Sequence, residues 1–303
     1  MYRYKRLLVN VTLTEQDATT IPYAALISRM AKSEKVYFVT VPKTLEVPEE
    51  ICCEYPELVE PLDEADRHVM EEMVTEHFSG PPGVEVAYEV REGNEAVEIL
   101  RLARQKNIDL IILGTERNPE ERGTLPETLA RKAPCSVLVV PDGAGPEIHR
   151  ILVPVHFADS AAAAMDVAVA FAGAAGVAKI DAVHAYRVPP GFHKTGKTYE
   201  EFAEIMLGHA KSKFSEMARN VDLEGLAVEP VYVLDKKPFG AIMDTIAEQK
   251  TDLVVMAAKG RSPAAAILLG SVTERVVRKV EIPLVAVKKK GTGIGFLDAL
   301  LRI

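Results

Sequence analysis

Arg150-Ile-Leu-Val-Pro-Val-His156 is an apolar run closed by a polar residue, and the chain holds a second version of it, Arg6-Leu-Leu-Val-Asn-Val-Thr12. Further pairs keep the same spacing of about 145 residues. Ile108-Asp-Leu-Ile-Ile-Leu-Gly114 matches Thr251-Asp-Leu-Val-Val-Met-Ala257, and Ser136-Val-Leu-Val-Val140 matches Pro283-Leu-Val-Ala-Val287. Leu129-Ala-Arg-Lys132 matches Val276-Val-Arg-Lys279 in the same way. The last strand pair lies a few residues further apart, so the first copy is shorter late in the unit. A period this long is a duplicated domain; solenoid repeats run to roughly 20–45 residues. Length agrees, because 303 residues make about two domains at roughly 100–200 residues each.

In the second copy, short apolar runs alternate with helical patterns. Strands are predicted at 151–155, 179–186, 227–234, 252–257 and 284–288. Helices are predicted at 160–175, with Asp159 or Ser160 as N-cap, and at 199–220, 239–249 and 272–279. Continuous apolar strands separated by helices argue for a parallel sheet covered on both faces. The expected fold is thus α/β: two tandem five-stranded parallel-sheet domains with helices on both faces, Rossmann-like. The Pro/Gly linker Pro141-Asp-Gly-Ala-Gly-Pro146 places the domains at 1–142 and 147–290, with an apolar tail at 291–303.

The charge balance narrows the partners. Lys and Arg number 36 against 44 Asp and Glu, a net charge of −8. Sequence-blind nucleic-acid binding needs cations to neutralise phosphates, so no nucleic-acid partner is expected. Cys52, Cys53 and Cys135 are the three cysteines. They form no disulfide framework, and a reducing compartment, the cytoplasm, is expected. Adjacent thiols close poorly around one tetrahedral ion, so no metal site is assigned. No apolar run reaches the ~18–20 residues that span a bilayer, and no signal-peptide core follows the basic residues at the start.

The phosphate-binding candidate follows the strand at 252–257. Lys259-Gly260-Arg261-Ser262 comes next, and nine residues separate Gly260 from Gly270, where Ser271-Val-Thr273 opens a helix. Glycine lets a backbone approach a phosphate closely. A helix N-terminus offers free N–H groups and partial positive charge. Ser271 and Thr273 add hydroxyls, and Lys259 and Arg261 add charge. The plain alternative is a glycine turn and an ordinary Ser/Thr helix start; the residues alone leave both open.

Ala257-x2-Gly260-x9-Gly270-Ser271, followed by Ile282-Pro-Leu-Val-Ala-Val287 and preceded by Ile151-Leu-Val-Pro-Val155 and Val183-His184, resembles the universal stress protein family, whose pattern is Gly-x2-Gly-x9-Gly-Ser/Thr. The resemblance covers nearly the whole chain, twice. It implies a tandem universal stress protein that binds an adenine nucleotide, ATP or AMP, with or without Mg, in its second domain. By position, Gly260, Gly270, Ser271, Val272 and Thr273 would hold phosphates and ribose. Met256, Ala257 and Lys259 would line one strand end. Ala185 would offer its backbone to adenine, and Pro154, Val155 and His156 would sit at the first strand end. The resemblance also implies a homodimer or an intrachain pseudo-dimer.

The departures are specific. The family's Asp after the first strand is His156 here, and the first glycine of the motif is Ala257. In the first copy the Asp position is Thr12. Gly114 is kept, but the second glycine is Arg117, and only five residues separate it from Gly123-Thr124. Asn118-Pro-Glu-Glu-Arg122 puts two carboxylates where phosphates would lie, which would repel an anion. The first site is therefore expected to be degenerate.

A rival motif lies at Gly191-Phe-His-Lys-Thr-Gly196-Lys197-Thr198, which fits the P-loop pattern. Val231-Tyr-Val-Leu-Asp235 mimics the strand ending in Asp that such enzymes use. Pro189-Pro190 lengthens what should be a tight turn, and the other copy has no such pattern. In a middle reading, Lys194 and Lys197 touch a nucleotide from outside.

Other signals are plain. No protease, esterase or dinucleotide motif occurs, so no catalytic residue is assigned, and slow ATP hydrolysis is the most that is expected. His68 and His77, beside Glu71, Glu72 and Glu76, read as a solvated helix face. Tyr186 and Tyr232 read as packing residues. In the tail, Phe296, Leu300 and Ile303 share one helical face beside Leu297 and Leu301. It would dock within the protein, on a protein partner, or, after Lys288-Lys-Lys290, on an anionic membrane surface.

The expected function is a stress-response sensor or regulator set by an adenine nucleotide. The alternative is an interaction module that regulates a partner such as a transporter or kinase without nucleotide. A P-loop ATPase is the third reading.

Overall fold

The computed structural model describes residues 4–42, 62–259 and 269–291. Cys52, Cys53, Gly260, Arg261, Ser262 and the tail from 292 onward lie outside the described residues. The chain divides into two units, the first ending at Pro146 and the second beginning at Glu147.

The first unit runs β1 (Arg6–Asn10), α1 (Asp17–Ala31), β2 (Lys35–Thr40), α2 (Leu62–His77), β3 (Glu85–Val90), α3 (Glu95–Gln105), β4 (Leu110–Thr115), α4 (Leu125–Lys132) and β5 (Ser136–Pro141). Its strands lie in the order β3-β2-β1-β4-β5, and every pairing is parallel. The second unit runs β6 (Ile151–Pro154), α5 (Asp159–Ala175), β7 (Lys179–Tyr186), α6 (Tyr199–Arg219), β8 (Ala227–Leu234), α7 (Pro238–Gln249), β9 (Leu253–Ala257), α8 (Ser271–Lys279) and β10 (Leu284–Val287). Its order is β8-β7-β6-β9-β10, again all parallel. Each unit is thus a five-stranded α/β sheet of Rossmann-like kind. The strand order reverses between β6 and β9, and a crevice opens at such a switch point.

Burial explains the elements. Leu7, Leu8 and Val9 of β1, Ile111 and Ile112 of β4, and Val254 and Val255 of β9 are fully buried, as expected where helices cover both faces. In α5, Ala161, Ala164, Ala168 and Ala172 are buried at helical spacing. Small side chains there let the helix lie close to β6 and β9. Cys135 is buried.

The start of α5 differs from expectation in its cap. The N-cap of α5 is Ala158, which has no capping side chain, and Asp159 is already in the first turn. There its charge still suits the positive end of the helix. Phe157 sets this start by turning the chain through a left-handed φ of 59°.

The outer strands carry different protection. On β3, Glu85 pairs with Lys35, and Glu89 pairs with Arg91 and Lys106. On β8, Pro230 stands opposite Ala182 of β7, and Glu229 pairs with Lys179 at 2.8 Å. Proline is tolerated there because an edge strand needs only one row of ladder bonds.

Candidate functional site

The carboxyl ends of β6, β7 and β9 open into a cavity of about 830 Å³ in the second unit. The chain after β6 supplies Pro154, Val155 and His156, with Phe157 behind them. β7 supplies Ala185, β9 supplies Met256 and Ala257, and the start of α8 supplies Gly270, Ser271, Val272 and Thr273. Ten of the residues singled out from sequence therefore wall one space. Lys259 is not among them, and Gly260 lies outside the described residues.

The start of α8 is arranged for an anion. Gly270 is its N-cap and offers no side-chain cap. Its N–H donates to Ala258 O at 2.8 Å, and the first intrahelical bond runs from Glu274 N–H to Gly270 O at 2.8 Å. The N–H groups of Ser271, Val272 and Thr273 precede that bond, so the helix itself offers them no partner. The Ser271 side chain is exposed, whereas Thr273 is buried. Thr273 Oγ1 donates to Ala257 O at 2.9 Å, so its hydroxyl proton ties α8 to β9 rather than facing a phosphate.

His156 plays a similar part. Its Nε2 lies 3.1 Å from Lys259 O, and Ala158 N–H donates to its Nδ1 at 3.3 Å. A ring protonated at Nε2 alone satisfies both bonds. The imidazole thus stitches the loop after β6 to the strand end after β9. Ser160 Oγ reaches the same carbonyl at 3.4 Å. Lys259 contributes that carbonyl, not a cavity wall.

Several wall residues escaped the sequence reading. The Phe157 ring packs against that of His184, with centroids 4.2 Å apart. His184 Nδ1 donates to Val155 O at 2.8 Å in a buried setting. Met206, His209 and Lys213 come from α6, and Asp235 and Lys236 follow β8. The only signal for the first pair was Val183-His184. The α6 and β8 residues carry none, because only the packing of α6 over β7 and β8 brings them to the strand ends. Tyr186 also lines the cavity, which corrects its reading as packing alone. Tyr232 meets the ring of Phe214 edge-on.

The first unit is packed differently at the equivalent strand end. A Cβ on Gly114, at the end of β4, would lie 2.3 Å from Thr20 Oγ1 and 3.0 Å from the Gln16 side chain. The first turn of α1 therefore sits on that strand end. The Asp17 carboxylate accepts the N–H groups of Thr12, at 3.0 and 3.1 Å, and of Thr14, at 3.1 Å. Burial pushes its pKa up despite those bonds. Arg122 donates from Nε to Glu116 O at 2.6 Å and from Nη2 to Arg117 O at 2.9 Å. The short loop is thus wound on itself.

The P-loop-like segment takes another shape. Gly191 and Gly196 have φ of 87° and 72°, and a single 3-10 turn, Phe192–Thr195, lies between them. Thr198 caps α6: its Oγ1 accepts Glu201 N–H at 3.1 Å, and the Glu201 carboxylate accepts Thr198 N–H at 2.8 Å. A phosphate cradle needs that helix start open; here the protein's own side chains close it. Lys194 and Lys197 do not line the cavity. His68 and His77 sit beside Glu72 and Glu76 on the solvated face of α2. Among the described residues no group of three or more His, Cys, Asp or Glu could hold a metal ion, and no helix is long and apolar enough to cross a membrane.

Comparison with known proteins agrees with this architecture. The model of the Universal stress protein family matches residues 3–141 and again 147–288. A universal stress protein of Thermus aquaticus is 30% identical over 138 residues, covering 46% of this chain and 97% of its own length. One from Methanocaldococcus jannaschii is 28% identical over 103 residues, 34% of this chain, and the match spans only 63% of that relative. Among solved structures, a universal stress protein of Archaeoglobus fulgidus is alike over 94% of this chain and 98% of its own, with a TM-score of 0.60 at 18% identity. A functionally unknown protein of Pseudomonas aeruginosa is alike over 99% of this chain and 97% of its own, with a TM-score of 0.66 at 16% identity. At such identities the likeness is one of fold. The repeat seen in the sequence, the two five-stranded units and the two family matches coincide: the chain belongs to the universal stress protein family, whose domain it contains twice.

Proposed function

We propose that the second unit binds an adenine nucleotide, ATP or AMP, and that the chain acts as a stress-response sensor or regulator through that occupancy. The observation that carries this reading is the uncapped N-terminus of α8 facing a cavity at the carboxyl ends of β6, β7 and β9. Anions favour such a place through free N–H groups and the helix dipole. The phosphates would lie on Ser271, Val272 and Thr273 backbone N–H groups and on the Ser271 hydroxyl. The ribose would lie over Pro154, Val155 and His156, and adenine beside the Ala185 backbone. His156 shapes this wall through its loop contacts.

Regulation fits better than catalysis, because among the described residues phosphates held by backbone N–H groups have no placed base beside them to activate water. Equilibrium dialysis with labelled ATP and AMP tests the reading. Saturable binding that Gly270→Leu removes is the expected result; no binding at millimolar nucleotide would overturn it. Two further parts of the family reading are proposals as well. A cytoplasmic setting suits the low cysteine count, three in 303 residues. Pairing of two chains would appear in light scattering as twice the 33.1 kDa chain mass.

A second reading, an interaction module without nucleotide, is favoured by one observation: the polar groups of His156 and Thr273 already serve backbone carbonyls. Under it, removal of residues 291–303 would abolish binding to a protein partner and leave the fold intact.

A further inference from the structure

The cavity continues beyond the place a mononucleotide would fill. A neighbouring cavity of about 360 Å³ shares Arg187, Asp235 and Lys236 with it and adds Tyr199, Leu234 and Lys237. The sheet order puts these residues at the far side from α8. From β9 across β6 and β7 to β8 is three strand spacings, or roughly 14 Å. A nucleotide with its phosphate on α8 and its base beside Ala185 of β7 stops short of β8.

The far end is chemically positive. Arg187, Lys236 and Lys237 are exposed. Arg187 and Lys236 have no ion-pair partner among the described residues, in a chain whose net charge is −8. Asp235 is the carboxylate in this group, and its Oδ1 accepts Lys237 N–H at 2.8 Å. Lys213 also reaches the cavity but is paired with Glu216 at 2.8 Å. The N-terminus of α7 begins here too, with Lys237 as an N-cap that makes no side-chain cap and Pro238 in the first turn. A helix dipole therefore adds to three cations at one spot.

Resting on the nucleotide reading of the second unit, we propose that its preferred ligand carries a second phosphoryl group, remote from the one on α8, and that Arg187, Lys236 and Lys237 receive it. A nucleotide phosphorylated on the ribose as well as at the 5′ end has that chemistry, because its second phosphoryl group branches from the sugar rather than extending the 5′ chain.

Calorimetric titration of the full chain tests this with AMP, ATP and adenosine 3′,5′-bisphosphate. ATP controls for charge, since its added phosphates extend from the same 5′ end. The expected result is that a two-ended ligand binds about tenfold tighter than either AMP or ATP, the scale of one or two charge-assisted contacts. The Arg187→Gln/Lys236→Gln double variant should lose that advantage and keep the AMP affinity. Both side chains are exposed, so its melting curve should match the parent's; Lys236→Gln alone repeats the test with less change. Equal affinity for one-ended and two-ended ligands overturns this inference and leaves the nucleotide reading standing. An advantage that survives the double variant overturns it as well. Failure of every nucleotide to bind overturns both.

Discussion

Gly114→Ala is expected to destabilise the first unit by about 1–3 kcal/mol, the usual cost of forcing one carbon into packed space. Urea melts would read it. The matching position in the second unit already holds a methyl, Ala257, which is buried. Two carboxylates should give opposite pH signatures. Burial raises the pKa of Glu89, but the Lys106 and Arg91 side chains outweigh it and hold the group below the ordinary range. Its contribution is fully present above the unfolded-state value and is lost as pH falls through the folded one. Glu89→Gln should therefore cost roughly 1 kcal/mol at neutral pH, and the cost should fade in acid. Asp17 runs the other way: burial holds its pKa up, so its contribution weakens as pH rises from the ordinary value through the raised one.

At the scale of elements, Thr198→Ala should lower stability by about 1 kcal/mol through loss of the α6 cap, read by thermal melting. It should leave nucleotide affinity unchanged, as should Lys197→Ala. A P-loop would lose both binding and turnover with either. Strands were the most legible part of the sequence. β7 and β8 begin and end where the alternation of strand-like runs and helical patterns places them, even though β8 is an outer strand with exposed residues. The start of α5 was less legible, because Ala158 has no capping group and the left-handed turn at Phe157 has no residue-type signature. The site divides likewise. Residues just past strand ends could be read from the chain, but Met206, His209 and Lys213 reach the cavity only through the way α6 packs on its sheet. The roles of Thr273 and His156 as ties to backbone carbonyls were also hidden, because a hydroxyl or imidazole in sequence does not say which partner it will meet.

For the whole molecule, duplication predicts less than it suggests. Two family domains invite two ligands, yet α1 occupies the strand end of the first unit. Calorimetry should therefore count about one nucleotide per chain, and a value of two would mean that Thr20 and Gln16 yield. At free ligand about 100 times its Kd, occupancy should add roughly 2.7 kcal/mol to the stability of the folded state. The outer strands bear on a different hazard. An uncovered strand is a template on which foreign chains can polymerise, and the danger grows wherever partly unfolded neighbours accumulate. Pro230 cannot donate a ladder bond, and Glu85 and Glu89 would carry charge into any growing stack. Replacing Pro230 with Val would give β8 a complete row of donors, and turbidity on heating would then reveal whether that residue had been keeping the protein out of other proteins' aggregates.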